Sequence, residues 1–454
     1  MLENNATYNQ FFDLFQQQDH NRLGGFEDFM QRQGVTFNLY KDNQFIEQTF
    51  PFDAIPRIIP ADEFSRLSQG LAQRVAALNA FLNDIYSDQK IIKAGIIPPD
   101  FVFGSKAYLP AFHGCRPPQE IRTHISGLDL VKDSASNDWL ILEDNLRVPS
   151  GASYPLSIRR AYRQLFPQLF EKMSIIASDN YGQLLTNMYE SVNPGGISVV
   201  LSPGRFNSAF YEHSYLARIS GARLVTNSDL VVDSNVLYLK SFNGKRIRVG
   251  VVYRRLDDDF LDPLSFRSDS LIGVPNLMSV YRAGNVALLN AVGNGIGDDK
   301  GIYYFVPKMI RYYLNEEPIL ANAPTYLPWF DNDRQFVLEN LHKLVIKDVA
   351  EAGGYGVLFG SKLTQQQLSD LAAHIKADPR RFIAQELIEF YDIPTQVSGQ
   401  IVPRKSDLRM YIVQGKKDIN VWAGGLTRFA REEGNYLVNS SQGGGFKDTW
   451  IMGA

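Results

Sequence analysis

Cysteine is almost absent from this sequence, since Cys115 is the one example among 454 residues. A lone cysteine excludes an intramolecular disulfide and a metal site built from several thiolates. A chain without disulfides is typical of a reducing compartment, so we predict a cytoplasmic location. His113 and His124 flank Cys115, but no group that would orient a catalytic histidine accompanies them. The pattern therefore favours an ordinary half-buried cysteine over a thiol nucleophile.

Long runs of one kind of residue are absent as well. The formal net charge is −3, and no basic or acidic block supports binding to a nucleic acid or a membrane surface. No apolar run approaches the roughly 20 residues that span a bilayer. Residues 1–6 lack the basic-then-apolar order of a signal peptide. We therefore predict neither a nucleic-acid partner nor a membrane partner, and no feature indicates an oligomeric state.

The short motifs of several common enzyme classes are missing too. The chain contains no G-x-x-x-x-G-K-[ST], no H-E-x-x-H and no G-x-S-x-G. The glycine-rich stretch 293–300 fails the G-x-G-x-x-G spacing and follows a helix-like run, which argues against a nicotinamide cofactor.

The most informative stretch is 129–151, where two short apolar runs flank a loop of Asp, Ser and Asn and predict a β-hairpin. Strand alternation predicts two faces, with Ile141, Glu143 and Asn145 on one and Leu140, Leu142 and Asp144 on the other. Asp129 on the first strand can face the same way as Glu143 and Asn145. Two carboxylates and an amide oxygen form an all-oxygen site of the kind that Mg²⁺ prefers. The alternative is a polar edge hairpin whose acidic side chains are solvated.

The chain divides into four segments. Residues 1–104 are predicted to be a helical N-terminal segment, whose clearest helix, 61–86, carries an apolar stripe. Residues 105–195 contain the hairpin followed by helices. In residues 196–298 strands and helices alternate, as in a small α/β domain with a largely parallel sheet. Residues 299–454 contain glycine loops and further strands, so the expected fold class is α/β (α+β).

Candidate phosphate contacts lie in this last segment. Lys347 sits within a predicted strand, 344–349, among aliphatic residues, where an ammonium group is costly unless an anion such as a phosphate pairs it. The alternative is a lysine at the edge of a sheet. A flexible loop follows, with Gly353, Gly354, Tyr355 and Gly356. Its backbone N–H groups could cradle phosphates.

Two further strand regions carry candidate residues for binding adenine and anions. The predicted strand 382–388 has the character of an adenine-binding hinge, formed by Gln385, Glu386, Leu387 and Ile388. An ordinary core strand is the alternative. Arg409 and Arg428 lie in apolar strand contexts, so buried anions are their natural partners. For these arginines the alternative is a structural salt bridge to a nearby acid.

These blocks resemble an ATP-grasp enzyme whose parts stand in a permuted order. The final hairpin of such enzymes, with its Asp, Glu and Asn, here stands in front of the α/β domain, the Lys strand, the hinge and the D-x-R strand. The resemblance therefore implies that this hairpin pairs in space with strands near residues 407–445. The sequence is similar to the circularly permuted ATP-grasp family, which is related to the synthetase half of glutathionylspermidine synthetases. The motifs that carry the resemblance across residues 105–454 are 142–147, Asp299-Lys300, Lys347 with its glycine loop, Asp407-Leu408-Arg409, and Arg428 with 439–445.

The resemblance implies a permuted ATP-grasp core with a Rossmann-like pre-ATP-grasp domain, and it implies ATP and Mg²⁺ as cofactors. Asp129, Glu143 and Asn145 would hold one or two Mg²⁺ ions. The catalytic residues would be Arg409, Arg428 and Lys347. Arg409 and Arg428 would stabilise the transferring phosphoryl group, and Lys347 would contact the ATP phosphates. The nucleotide would contact Lys300, Lys347, Gly353, Gly354, Tyr355, Gly356, Gln385, Glu386, Leu387, Ile388 and Asn439.

The implied activity is that of a carboxylate–amine ligase, which forms a peptide-like amide through an acyl phosphate. Its partners would be a small-molecule or peptide carboxylate and an amine. Two alternatives stay open, namely phosphoryl transfer without amide formation and a non-catalytic nucleotide-binding scaffold.

Overall fold

The structure is a computed structural model that describes residues 6–17, 24–41, 44–49, 51–241, 243–349, 356–397, 399–436, 438 and 444–453. It combines helices with several sheets, which confirms the predicted mixed α/β class. Among the residues that it describes, no helix is both long and apolar enough to cross a bilayer.

The N-terminal segment contains both helices and strands. Its elements are α1 (Ala6–Gln16), α2 (Gly24–Arg32), β1 (Thr36–Lys41), β2 (Gln44–Thr49), β3 (Arg57–Ile59), α3 (Ala61–Ile85), α4 (Lys90–Lys93) and α5 (Pro99–Phe103). The long helix predicted at 61–86 is confirmed as α3, which follows Pro60 and has Asp62 and Glu63 in its first turn, where the helix dipole favours negative charge. The strands β1, β2 and β3 differ from the prediction that this segment is helical. For β3 the cause is a contact with a distant part of the chain, because Arg57–Ile59 is buried and pairs with the strand Gly445–Ile451.

The predicted hairpin is confirmed, and helices follow it. The elements are β4 (Ile125–Lys132), β5 (Trp139–Asn145), α6 (Ser153–Leu165), α7 (Pro167–Lys172) and α8 (Tyr181–Val192). Strands β4 and β5 pair antiparallel, with Asp129 directly opposite Glu143.

The α/β region has a parallel core with an antiparallel extension. Its elements are β6 (Ile197–Leu201), α9 (Phe210–Ser220), β7 (Arg223–Val225), β8 (Leu230–Asp233), β9 (Val236–Lys240), β10 (Arg246–Arg254), α10 (Asp258–Leu261), α11 (Leu277–Arg282) and β11 (Ala287–Leu289). Strands β7, β6, β10 and β11 are parallel neighbours, as the alternation of strands and helices predicted. Strands β9 and β8 add to this sheet in antiparallel fashion.

A small antiparallel sheet with two helices forms what we call the four-stranded lobe. The elements from here are α12 (Lys300–Met309), β12 (Ala321–Asn322), β13 (Thr325–Tyr326), α13 (Asp331–Asn340), β14 (Leu344–Asp348), β15 (Val357–Phe359), α14 (Gln365–Ala377) and β16 (Phe382–Glu386). The lobe consists of β13–β16 with α13 and α14, in the sheet order β13-β16-β14-β15. A capping box between Thr364 and Gln367 begins α14. One face of the sheet packs on the helices through Leu344, Ile346, Phe382 and Ala384.

The large sheet joins the two ends of the chain. Its last strands are β17 (Asp392–Val397), β18 (Gln400–Gln414), β19 (Ile419–Val421), β20 (Leu426–Phe429) and β21 (Gly445–Ile451). The order is β12-β5-β4-β18-β20-β21-β3, and β17 and β19 also pair with β18. Strand β4 pairs antiparallel with β18, so the early hairpin lies beside the D-x-R strand. The sheet therefore has the neighbours expected of a permuted core, and β3 completes it beside β21.

Candidate active site

A cleft of about 880 Å³, open solvent included, lies between the four-stranded lobe and the hairpin. Its walls come from segments that are far apart in the chain. The lining residues are Asp129, Leu142, Glu143, Lys300, Val345, Lys347, Val357, Phe359, Gln385, Glu386, Leu387, Ile388, Phe390, Asp407, Arg428, Tyr436 and Val438. Most of the described residues that were predicted as nucleotide, metal or catalytic contacts therefore meet in one cleft.

The outer face of the four-stranded lobe supplies one wall. Val345 lies opposite both Phe359 and Gln385, and Lys347 lies opposite Val357, so these side chains share one face of the sheet. The same alternation sends Leu344 and Ile346 to the helices behind the sheet. The strand period thus explains why a lysine lies among aliphatic residues, because Lys347 faces the cleft and its neighbours face the core.

The ammonium group of Lys347 has an unusual electrostatic environment. Burial lowers its pKa to about 8, against the opposing attraction of Glu143 and with the added repulsion of Lys300. Lys300 approaches the same acid, with its Nζ atom 3.6 Å from Glu143 Oε1. Two lysines therefore share one carboxylate at this end of the cleft, which suits it to bind an anion.

The side chain of Gln385 has an orientation that its neighbours fix. Its Nε2 atom donates to Thr325 Oγ1 at 3.0 Å, and that hydroxyl donates to the carbonyl of Ala323 at 2.7 Å. Because the threonine proton is already used, Thr325 Oγ1 acts as the acceptor, so Gln385 must direct its N–H group toward it. Gln385 Oε1 is then the amide atom left to accept a hydrogen bond in the cleft.

The other predicted hinge residues also line the cleft. Strand β16 ends at Glu386 rather than at Ile388, and the Glu386 backbone N–H donates to Pro324 O at 3.0 Å. Beyond the hinge, the backbone N–H of Tyr391 donates to Lys132 O at 2.8 Å. The hinge is therefore anchored at both ends, to the start of the lobe and to the hairpin.

The hairpin supplies the opposite wall, with a change in the predicted alternation. The register of β4 and β5 shifts between Asp129 and Leu130, so that Asp129 opposes Glu143 but Leu130 opposes Ile141. Leu142 is the extra residue of a β-bulge. The prediction that Ile141 shares a face with Glu143 is therefore wrong, because the bulge reverses the facing of the residues that precede it, and Leu142 joins Glu143 in the cleft.

Asp129 has strong partners within the protein. Arg409 binds it in bidentate fashion, with Nε 2.6 Å from Oδ1 and Nη2 2.8 Å from Oδ2. Arg428 Nη2 lies 2.8 Å from Asp129 Oδ2 and 2.5 Å from Asp407 Oδ2. Although burial raises the pKa of Asp129, these guanidinium groups outweigh it and hold the pKa at about 2. Salt bridges to nearby acids, the alternative considered for both arginines, are thus present.

The donor set of the predicted metal site is composed of oxygen atoms. Asn145 lies opposite Gly127, two residues along β4 from Asp129, so it shares a face with Asp129 and Glu143. Its Nδ2 atom is buried without a hydrogen-bond partner in the structure. Among the described residues, no cluster of three or more His, Cys, Asp or Glu side chains forms a metal site. Two carboxylates and one amide still fit a hard cation that also binds substrate oxygens, as Mg²⁺ commonly does.

Several lining residues were not predicted from the sequence. Tyr436 packs against Phe390, with ring centroids 5.5 Å apart, and against Phe359 at 6.4 Å. The Tyr436 hydroxyl donates to Glu389, which directly follows the hinge. The position of Phe390 two residues after Ile388 could have identified it as a wall of the cleft, whereas Tyr436 carries no local signal.

Some predicted residues fall outside the described part of the chain, namely Gly353, Gly354, Tyr355 and Asn439. Gly356 is described, with φ +78°, a conformation that favours glycine, and its carbonyl accepts from the Asp348 backbone N–H at 3.3 Å. Cys115 is half-buried, and burial raises the pKa of its thiol, as expected of an unactivated cysteine.

Comparison with known families gives one match that spans most of the chain. The model for the family described as "Circularly permuted ATP-grasp type 2" matches residues 56–430. A solved structure, the apo form of a glutathione synthetase-like effector from Globodera pallida, superimposes with a TM-score of 0.54 and covers 99% of each chain. Its sequence is 12% identical, so this likeness supports the fold alone.

Relatives with higher identity occur in bacteria. An uncharacterised protein of Synechocystis sp. is 50% identical over 92% of this chain and 88% of its own length. An uncharacterised protein of Mycobacterium tuberculosis is 45% identical over 92% of this chain and 76% of its own. A Frankia casuarinae protein named as a candidate glutamate–cysteine ligase is 38% identical over 95% of this chain, which spans 50% of that protein.

Proposed function

The chain belongs to the circularly permuted ATP-grasp family, and from this premise we propose that it is an ATP- and Mg²⁺-dependent carboxylate–amine ligase. The proposed product is a peptide-like amide formed through an acyl phosphate. The observation that carries the proposal is the cleft between the lobe and the hairpin, whose two ends differ in chemistry.

The apolar end of the cleft suits a purine base. Leu142, Ile388 and Phe390 pack together there, and Tyr436 packs on Phe390. Flat aromatic and aliphatic surfaces bind the faces of a base, and an acceptor at its edge selects the exocyclic group. Gln385 Oε1 supplies an acceptor for the 6-amino group of adenine, which supports ATP as the nucleotide.

The charged end of the cleft suits a polyphosphate. Lys300 and Lys347 both lie close to Glu143, so two ammonium groups border this end of the cleft. Arg428 borders the same space and is directed by Asp129 and Asp407. Fixed cations of this kind stabilise a phosphoryl group in transfer without having to reorganise, which favours the transition state.

Asp129, Glu143 and Asn145 would hold the magnesium ion, with phosphate oxygens completing its coordination. The bound cation would supply Lewis-acid neutralisation of the phosphate charge. The arginine pairs of Asp129 keep its carboxylate ionised at neutral pH, as a cation ligand must be.

The proposed reaction has two steps. The substrate carboxylate attacks the γ-phosphorus of ATP, the bond to the bridging oxygen breaks, and ADP leaves. An amine then attacks the acyl carbon, inorganic phosphate leaves, and the amine loses a proton. A relative named as a candidate glutamate–cysteine ligase supports an amide product but identifies neither substrate of this chain.

The test is a screen of phosphate release from ATP-Mg against amino acids, peptides and polyamines. The ligase predicts that release requires both a carboxylate and an amine, and that mass spectrometry detects the amide. Release with a carboxylate alone would indicate simple phosphoryl transfer.

A matched pair of variants controls the screen. Glu143→Gln removes a proposed magnesium ligand and should abolish release, whereas Glu120→Gln alters an exposed glutamate and should leave it unchanged. If Glu143→Gln supported wild-type release with the active substrates, the site assignment would fail. If the wild-type protein bound ATP-Mg but released phosphate under no condition, a scaffold role would replace the ligase.

A further inference from the structure

A shielded ion pair holds the segment that carries Lys300. Arg380 lies in a 3-10 turn, Pro379–Arg381, that leads into β16, and its Nη2 atom donates to Asp299 Oδ2 at 2.8 Å. The two side chains are 14% and 7% exposed, so water screens the pair weakly. Arg380 lies between α14 and β16 of the four-stranded lobe, and Asp299 is the N-cap residue of α12. The pair therefore joins the lobe to the helix whose first residue is Lys300.

Asp299 transmits this contact to its neighbour in the chain. Its second oxygen, Oδ1, accepts from the Gly301 backbone N–H at 2.8 Å and caps α12. One carboxylate thus fixes both the start of the helix and the contact with the lobe. Lys300 lies between these two anchored residues, and its Nζ atom enters the cleft 3.6 Å from Glu143.

Close packing makes the arginine specific at this position. The Arg380 guanidinium lies over the ring of Phe101, 4.5 Å from its centroid, and Nη2 also donates to Phe101 O at 3.2 Å. A Cβ atom built at Gly301 would lie 2.9 Å from the Phe101 ring and 3.1 Å from Arg380 Nη1. A planar guanidinium fits this space, and a lysine ammonium cannot reproduce both the stacking and the directed hydrogen bond.

The preceding residue ties the same segment to the hairpin. Asp298 Oδ1 accepts from the Leu146 backbone N–H at 2.5 Å, and Oδ2 accepts from Arg147 Nε at 3.0 Å. Three successive residues therefore contact the hairpin, the lobe and the cleft. A shift of this segment would move Lys300 relative to Glu143.

We propose that Arg380 is a positioning residue that holds Asp299 and thereby sets the Lys300 ammonium at the phosphate end of the cleft. This role rests on the proposed function, because it assumes that the cleft binds ATP. Arg380 is not among the residues that line the cleft, so it acts on the phosphates through Lys300.

The test compares nucleotides with and without phosphates by isothermal titration calorimetry. Arg380→Met should weaken ATP-Mg binding roughly tenfold, the worth of one charge-assisted contact, and should leave adenosine binding unchanged. Arg380→Lys should lose less, because it keeps the charge. Arg334→Met removes an exposed pair with Asp331 in the same lobe and should change neither affinity.

A double-mutant cycle separates positioning from a general structural effect. In a Lys300→Met background, Arg380→Met should cause no further loss of ATP-Mg affinity, because the group it positions is gone. Asp299→Asn keeps a capping oxygen but loses the charge, and it should reproduce the phosphate-specific loss. It also provides the test if Arg380→Met does not fold.

Three outcomes overturn the proposal. They are wild-type ATP-Mg affinity in Arg380→Met, an equal loss of adenosine affinity, and a full additional loss in the Lys300→Met background. Absence of ATP-Mg binding in the wild-type protein would instead overturn the proposed function, and this role with it. The wild-type titration therefore distinguishes the two failures.

Discussion

In the proposed function, Lys347 and Gln385 are the single side chains that contact the phosphates and the base of the nucleotide. Lys347 faces the cleft because its strand alternates, and burial with the nearby Lys300 keeps the pKa of its ammonium at about 8. Gln385 directs an oxygen at the cleft because Thr325 accepts its N–H group. One residue would act on the charge of a phosphate and the other on the edge of a base.

The lowered pKa of Lys347 predicts a pH dependence of binding. Only the protonated lysine attracts a phosphate, and the protonated fraction of the free protein falls as the pH rises through about 8. ATP-Mg affinity should therefore decline by about tenfold per pH unit above this value. Calorimetry from about pH 7 to about pH 9.5 measures the slope, and Lys347→Arg should flatten it because arginine stays charged. The same slope in both proteins would exclude Lys347 as its source.

The orientation of the Gln385 amide predicts that the cleft distinguishes ATP from inosine triphosphate. Gln385→Met keeps the length of the side chain and removes the acceptor, so ATP affinity should fall roughly tenfold while inosine triphosphate affinity is unchanged. Competition binding with the two nucleotides measures the preference. Gln366→Met, on the exposed side of α14, is the control. An unaltered preference for ATP in Gln385→Met would contradict the assigned orientation of the amide.

At the scale of an element, one face of the hairpin β4–β5 borders the cleft and the other face packs on a helix. Glu143 faces the cleft, whereas its neighbour Asp144 turns to the opposite face and is 1% exposed. Arg74 on α3 binds Asp144 with Nε and Nη2 at 2.6 and 2.7 Å. The helix thus fixes the back of the strand whose front carries the proposed metal ligands.

Substitutions at these two adjacent acids should therefore affect different properties, namely phosphate release at Glu143 and the free energy of unfolding at Asp144. Asp144→Asn leaves the buried Arg74 without its counter-charge, and the free energy of unfolding should fall by about 3 kcal/mol. Its affinity for ATP-Mg in the folded protein should be retained. Glu143→Gln should lose phosphate release and keep its stability, since Glu143 is part-exposed. Denaturant unfolding and calorimetry on both variants check this, and a stability loss at Glu143 equal to that at Asp144 would contradict the division.

At the scale of the whole molecule, the large sheet brings together segments that the permutation separates in the sequence. Asp129 and Arg409 are 280 positions apart, yet they lie directly opposite each other on β4 and β18. Strand β3 near the N-terminus and β21 near the C-terminus lie side by side at the other edge. Segments from both halves of the chain must therefore come together before the cleft exists.

Two buried histidines should make the fold sensitive to acid. Burial, with repulsion from nearby arginines, lowers the pKa of His124 to about 3 and that of His213 to about 2. The fold favours the neutral imidazoles, so their contribution to stability is complete above pH ~6.5 and is lost as the pH falls toward these folded-state values.

The pH dependence of the unfolding free energy measures this effect. Each histidine should add a slope of up to about 1.4 kcal/mol per pH unit below pH ~6.5. His124→Met should remove one such contribution. An unchanged slope in His124→Met would show that His124 does not titrate with folding.

Much of the site could be predicted from the sequence because it depends on local patterns. Strand alternation and turn residues locate the hairpin, the Lys347 strand and the hinge. The residue types at 129, 143, 145, 347 and 428 limit the chemistry to oxygen ligands and fixed cations. The cyclic order of these blocks identifies the family and, with it, the pairing of the early hairpin with the D-x-R strand.

Only the tertiary structure decided which groups face one another. The bulge at Leu142 depends on hydrogen bonds between strands, and it places a leucine in the cleft against the simple alternation. Tyr436 reaches the cleft through packing on Phe390, and Arg380 reaches Asp299 across 81 positions. The sequence by itself determined the local elements and the chemical groups, since both follow from neighbouring residues. The register, the ion pairs and the shape of the cleft arise from contacts between distant segments, which no local pattern encodes.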